Sequence, residues 1–298
     1  MANLLIKDGG TFDRRLKSSG VGTDADPYVM IQASDFDPLH RAQEEIFSLY
    51  GDRVSISSKM RSLNIFGRNE AIGASRATIM ELQGAETVEA LQTTNSIDRI
   101  ISDDAAFTGI VVIEGHTISG GILTFVKQEA TLNGQTAVIL ATPLARATRI
   151  EYKRGDGNAL AATKKIYVYE NGATTAGVPD TDSAVHLQMQ EKYGRSQKAQ
   201  TAISNDEYWI ITKIYAGVLR KTSAVSNIEV RTGFVGDPLQ TALELPASST
   251  GSQFTDFPLG NGFMIVPKNH DLLIAANASI ANVEIVAGAF GYLASVEV

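Results

Sequence analysis

From about residue 62 the chain is written in short apolar or alternating runs separated by Gly, Asn, Asp and Ser. "ATIMEL", "IDRIIS", "GIVVIEGHTI", "ILTFVKQEATL", "TAVILATPL", "ATRIEY" and "KKIYVYE" follow one another at short intervals. That rhythm predicts strands joined by tight turns. A polar loop, "NGATTAGVPDTDSA", then separates this series from a second one. There "DEYWIITKIYAGVL" is apolar on both faces, which predicts a central strand covered on both sides. "SNIEVRT" alternates, with Ile228 and Val230 inward and Glu229 and Arg231 outward. "GFMIVP", "DLLIAANAS" and "ANVEIVAGAFGYLASV" predict three more strands. The fold expected is mainly β: two β-sandwich or jelly-roll-like domains preceded by an extended N-terminal arm and one short helix. The expected divisions are 1–60 for arm and helix, 61–172 for the first sandwich and 173–298 for the second.

The helix is read from "DFDPLHRAQEEIFSLYGD". Asp37 stands as N-cap and Pro38 at the first helical position, where its missing N–H costs nothing. Leu39, Ala42, Ile46, Leu49 and Tyr50 recur at helical spacing, and Gly51 supplies the stop. "AETVEALQ", residues 85–92, allows a second helix or a strand equally well. Residues 1–35 carry Gly9, Gly10, Gly20 and Gly22 without a sustained period, which is why this part reads as an extended arm. Two Asn-Gly pairs, Asn133-Gly134 and Asn171-Gly172, carry the residues that a type I′ hairpin turn needs.

Composition narrows the function classes. Lys and Arg total 26 against 33 Asp and Glu, a net charge of −7, and no segment is basic enough to displace the counterions of a nucleic acid. The absence of cysteine removes disulfides, thiolate metal sites and a thiol nucleophile. The apolar run Leu4-Leu5-Ile6 is too short for a secretory core, and no run reaches the length of a membrane span. The expectation is a protein used without membrane passage by a signal.

The candidate chemistry is sparse. In "VVIEGHTISG" alternation puts Val112, Glu114, His116 and Ile118 on one strand face, so Glu114 and His116 are neighbours. A metal there needs further ligands, and His40, His186 and His270 lie far off in a helix, a strand start and a loop. The expectation is therefore a strand entering the turn at "SGG", with the pair at a rim or a subunit contact. Asp180 and Asp182 lack the glycine and glutamate of an EF-hand loop. Arg154-Gly155-Asp156 reads as a turn, Asn277-Ala278-Ser279 as a strand end, and Asp103-Asp104 as a loop. No phosphate loop, nucleophile elbow or zinc-protease helix is written in the chain, so neither a catalytic residue, a metal nor a cofactor is expected.

"SLYGDRVSISSKMRSLNIFGRNEAIG", "VVIEGHTISGGILTFVKQEATLNGQTAVILATPLARATRI", "WIITKIYAGVLRKTSA", "VPKNHDLLIAANAS" and "AGAFGYLASV" resemble a family of tailed-phage, podovirus-like virion structural proteins, from about residue 48 onward. The resemblance implies an oligomeric, capsid-associated cement or decoration protein, located in a virion assembled in the host cytoplasm. Its implied partners are the major capsid protein or other virion proteins, with no direct contact to nucleic acid or membrane. A trimer is expected, to match local three-fold positions of a shell. Leu4, Leu5, Ile6 and Phe12 are the candidate assembly contacts, since an arm laid on a neighbour gains apolar burial. Ordering it costs about 1–2 kcal/mol per residue, which a multivalent assembly offsets. A head–tail connector or tail component is the nearest alternative. A carbohydrate-binding receptor module is the alternative from another class, with Tyr167 and Tyr169, on one strand face, as its aromatic platform and Trp209 in an apolar strand.

Overall fold

The structure, a computed structural model, describes residues 4–6, 14–19, 29–31, 38–52, 54, 60–80, 91–153, 160–218, 224–249, 253–257, 259 and 262–296. Three short strands begin it: β1 (Leu4–Ile6), β2 (Arg14–Ser19) and β3 (Val29–Ile31). They pair antiparallel in the order β1-β2-β3, so the segment expected as an extended arm is extended in three lengths that pair with one another. Extended backbone without a neighbouring strand leaves its amides unpaired, and a meander pairs them locally. Leu4, Leu5 and Ile6 form β1, whereas Phe12 lies outside the described residues.

Helix α1 (Pro38–Tyr50) opens on Pro38 and stops at Gly51, whose φ of 72° places it in the left-handed region and whose N–H bonds the Phe47 carbonyl at 3.0 Å. Ala42 and Ile46 are buried and Leu39 packs beside them, as expected. Leu49 departs from that pattern, since it is 63% exposed, with Phe47 and Tyr50 also in solvent. The buried seam is narrower than the apolar spacing suggested. Asp37 and residues 81–90, which hold most of the second helix candidate, lie outside the described residues.

Next come β4 (Arg61–Ile72) and β5 (Ala77–Thr78), then β6 (Ile97–Ser102), β7 (Ile110–Ser119), β8 (Ile122–Thr131), β9 (Val138–Leu144) and β10 (Arg146–Tyr152). β11 (Lys165–Glu170), the small hairpin β12 (Thr174–Thr175) and β13 (Val178–Pro179), and β14 (Val185–Gln190) complete this stretch. The remainder is β15 (Gln200–Ala202), β16 (Glu207–Val218), β17 (Ala224–Phe234), β18 (Gln240–Ser249), β19 (Gln253–Phe257), β20 (Met264–Val266), β21 (His270–Ala278) and β22 (Val283–Ser295). The molecule is therefore mostly strand, with α1 as the one α-helix among the described residues.

Pairing sorts these strands into two sandwiches. In the first, sheet β10-β7-β8 faces sheet β14-β11-β6-β9 across a core that includes Val111, Ile113, Ile100, Leu144, Ile166 and Val168. In the second, β15-β21-β17-β18 with β5 faces β19-β16-β22-β4 with β20, around Trp209, Ile211, Ile228, Ile274 and Ile285. The sheets divide the chain elsewhere than the expected boundaries. Residues 61–78 belong with 200–295, because β4 pairs along β22, and β14 belongs to the first sandwich. The first sandwich is inserted into the second, and the chain leaves and returns side by side where Met80 bridges Lys198. Alternation identifies a strand but not its partner, which is why the nesting was invisible in the sequence.

Both faces of β16 are covered, as its composition demanded. Trp209, Ile211 and Ile214 face the opposite sheet, while Tyr208 and Ile210 meet Ala42 and Ile46 of α1. In β17, Ile228 and Val230 point inward as expected, but Glu229 is buried too, held by Arg76 at 2.8 Å and by the Thr241 hydroxyl at 3.1 Å. The turns also differ. Both central residues take positive φ at Gly120-Gly121 and Ala176-Gly177, the I′ pattern, whereas Asn133 and Asn171 do not. Asn133-Gly134 carries the chain from β8 to β9, which lie in different sheets, so the turn there closes only a single antiparallel bridge, Asn133 to Thr136, and does not join two paired strands. Those two edges meet instead through Gln128, whose amide donates to the Thr142 carbonyl at 2.8 Å and accepts its N–H at 2.9 Å. A side chain thus imitates a ladder residue and closes an exposed edge.

The sandwiches are joined by buried charge. Arg146 of β10 donates to both carboxylate oxygens of Asp271 on β21, at 2.7 and 2.8 Å, with both side chains almost wholly buried. Lys198 reaches back from the crossing point to the Ala147 and His186 carbonyls, each at 3.0 Å. The β7–β8 tip adds apolar contact, Leu123 packing with Ala202 and Val235 while its N–H bonds Asn269 at 2.9 Å. Asp271→Ala strands a buried guanidinium and is expected to cost about 3–5 kcal/mol, measured by urea denaturation. Arg146→Met with Asp271→Leu together is expected to cost less than Asp271→Ala alone, and the reverse order would contradict this account.

Candidate functional site

Glu114 and His116 do share a face of β7, as the alternation required, while Val111 and Ile113 turn into the sandwich core. That shared face borders a cavity of about 360 Å³ between the sandwiches. Its other walls come from far along the chain: Arg61 of β4, Thr148 and Arg149 of β10, Arg195 and Ser196 of the crossing segment, and Gln200 of β15. A second recess of about 430 Å³ shares Arg149 and Arg195 with it and adds Tyr152 and Tyr193.

Close backbone approach joins β7 to β10 beside this cavity. A Cβ on Gly115 would lie 2.2 Å from the Arg146 carbonyl oxygen, so only glycine lets β7 and β10 meet here. This puts His116 beside the Arg146–Asp271 pair. The imidazole is 4% exposed, lies edge-on to Phe125 with ring centroids 5.6 Å apart, and its Nδ1 has no hydrogen-bond partner. Burial, reinforced by the positive charges of Arg146 and Arg61, pushes its pKa down to about 3, so the ring is neutral. Glu114 does not pair with it and instead takes the Lys127 ammonium at 2.8 Å. Arg61 pairs with Glu207 and stacks over Phe125, 5.6 Å from the ring centroid. Arg149 pairs with Glu151, and Arg195 makes no ion pair among the described residues. Gln200 is 1% exposed with its Oε1 unpartnered.

The remaining sequence candidates are placed as follows. No group of three or more His, Asp or Glu side chains able to hold a metal occurs among the described residues. Asp180 and Asp182 are exposed. Asp103 and Asp104 staple their loop: Asp103 accepts the Lys165 N–H at 2.7 Å, and Asp104 accepts those of Ala106 and Ala161 at 3.0 and 2.9 Å. Ser279, ending the Asn277-Ala278-Ser279 triplet, accepts the Val225 N–H at 3.0 Å as a strand-end tie. His186 meets Glu170 at 2.9 Å and His270 meets the Lys268 carbonyl at 2.9 Å. The Arg154-Gly155-Asp156 triplet lies outside the described residues. Tyr167 and Tyr169 are both buried beneath the β12–β13 hairpin with Ile101, Val185 and Val178. They offer no platform to a sugar, and burial raises both hydroxyl pKa values. Trp209 is buried as well.

No protein-family model matches the chain, and no curated protein does. Among solved structures it is similar to a mutant VP2 protein of infectious bursal disease virus in derived T=1 particles, with a TM-score of 0.17 and 9% identity over 87% of this chain and 79% of that one. The Gt strain of the same virus gives a TM-score of 0.17 and 8% identity over 83% and 78%. Likeness at that level carries no argument about this chain's function.

Because the folded-state pKa of His116 lies below its unfolded value, the unfolded chain takes up the proton first as pH falls. The stability this residue contributes is complete above pH 6.5 and is lost as pH drops toward 3. His116→Gln is expected to reduce the fall in Tm between about pH 7 and about pH 4, measured by calorimetry against the wild type. An unchanged profile would show that His116 is not buried neutral.

Proposed function

We propose that this chain is a non-enzymatic structural protein of a tailed-phage virion, an oligomeric cement or decoration protein that reinforces the shell. The observation that carries the reading is the fusion of two nested sandwiches into one block by the Arg146–Asp271 pair and the Lys198 tie. Such a block suits mechanical contact. Its α1 surface supports assembly, because Phe47, Leu49 and Tyr50 leave apolar area in water close in sequence to the N-terminal strands. The sequence strings resembling podovirus-like virion proteins supply the phage setting, and the shell supplies the partners: the major capsid protein and further copies of this chain. A trimer fits local three-fold positions.

Position in the particle is tested by copy number relative to the major capsid protein, from quantitative mass spectrometry of purified particles. Hundreds of copies are expected for a cement protein, whereas about a dozen would assign the chain to the head–tail axis. Deletion of residues 1–35 removes β1 to β3 while leaving every strand of both sandwiches, which begin at Arg61. That variant is expected to keep its Tm and lose co-sedimentation with shells. Retained co-sedimentation would remove residues 1–35, Leu4, Leu5, Ile6 and Phe12 among them, from the attachment surface.

A further inference from the structure

Two Asn-Gly pairs lie wholly within the described residues, and the fold treats them oppositely. An asparagine followed by glycine is open to reaction with its own backbone, because glycine has no side chain to shield the nitrogen that attacks. That nitrogen must lose its proton and swing onto the asparagine Cγ. Whether it can depends on what holds the two amides.

At Asn133-Gly134 they are held. The Gly134 N–H donates to the Phe107 carbonyl at 2.8 Å, and the Gly134 carbonyl accepts the Ser102 N–H at 3.3 Å. The Asn133 carbonyl accepts the Thr136 N–H at 3.0 Å. Gly134 is buried with φ 57°, so close under the Ala105 carbonyl that a Cβ would lie 2.3 Å from its oxygen. An acceptor facing the N–H opposes loss of its proton, and the packing opposes rotation. At Asn171-Gly172 neither amide is held. Both residues are exposed in the bend between β11 and β12. Neither the Asn171 side chain nor the Gly172 N–H has a hydrogen-bond partner among the described residues. The atom nearest a Cβ on Gly172 would be the Glu170 carbonyl oxygen at 3.8 Å, so the backbone has room to turn.

We propose that Asn171 is a site of spontaneous modification, converted to aspartate and isoaspartate without an enzyme. The Gly172 nitrogen, its proton taken by hydroxide, attacks Asn171 Cγ. A C–N bond forms as the Cγ–Nδ2 bond breaks, and Nδ2 leaves as ammonia with a proton from water. Water then opens the resulting cyclic imide: cleavage at Cγ gives aspartate, and cleavage at the main-chain carbonyl carbon gives isoaspartate. Either product adds a carboxylate beside Glu170, which lies 2.9 Å from the buried His186. The isoaspartyl form also lengthens the path into the β12–β13 hairpin that covers Tyr167 and Tyr169. The site does not depend on the virion reading.

The test holds the full chain at mildly alkaline pH, digests timed samples under acidic conditions and follows each asparagine by mass spectrometry, with electron-transfer fragmentation separating the two products. Asn171 is expected to convert about tenfold or more faster than Asn133, where attack waits on a local opening. In urea, where neither pair is held, the two rates are expected to converge. Gly172→Ala, which the open backbone accommodates, is expected to suppress conversion at Asn171 and leave Tm in place. No conversion at Asn171, equal native rates, a native ratio that persists in urea, aspartate without isoaspartate, or undiminished conversion in Gly172→Ala would each overturn the proposal.

Discussion

The bidentate pair of Arg146 and Asp271 is the contact around which the two sandwiches are organised. Two opposite charges taken out of water cost several kcal/mol in desolvation, and only their mutual geometry and further hydrogen bonds offset that cost. Arg146 has both: two bonds to one carboxylate and others to the Gln92 and Ala145 carbonyls. Its position dictates its neighbours. The Arg146 carbonyl leaves no room for a side chain at residue 115, so β7 must carry glycine there. Its guanidinium, next to a dehydrated imidazole, helps keep His116 neutral. A contact that welds two bodies therefore also sets the chemistry of the space between them.

Nesting explains why a weld is needed. The second sandwich is built from β4 and β5 at one end of the chain and β15 to β22 at the other, with the whole first sandwich inserted between. β4 must find β22 across more than two hundred residues, as in the register Gly67 to Ala287, and pairing at such separation is slow because loop closure precedes any gain. Only two segments cross between the bodies, at Met80 and Lys198, and their pairing alone would leave a hinge. Lys198, Leu123 and the Arg146–Asp271 pair remove that freedom from three directions.

A rigid junction also preserves a polar cleft that would otherwise collapse. Apolar cavities shrink when their walls relax, whereas walls pinned by buried hydrogen bonds keep their spacing. Gln200 and His116 stay unpartnered beside this junction because their strands are fixed by other contacts: β15 by pairing with β21, and β7 by β8 and β10. The unpaired Gln200 Oε1 and His116 Nδ1 are thus tolerated by the scaffold's rigidity.

The sequence by itself determined β6 to β11, β16, β17 and β20 to β22, the α1 helix with its Pro38 start and Gly51 stop, the double covering of β16 and the shared face of Glu114 and His116, whereas β4, β15, β18 and β19 carried no pattern clear enough to read. Each of these follows from local periodicity or local backbone chemistry, which residues a few positions apart decide among themselves. It also marked a chain without cysteine, without a basic patch and without a catalytic motif. Only the tertiary structure decided which strands pair, and hence that 61–78 joins 200–295, that Tyr167 and Tyr169 lie under a hairpin, and that Glu229 is covered. The cleft belongs to the same category: Arg61, Arg195 and Gln200 carry no local signal, since each reaches the space beside His116 from a different and distant part of the chain. Spacing along a strand fixes the face a residue occupies, but the element that covers that face is chosen by packing across the whole fold.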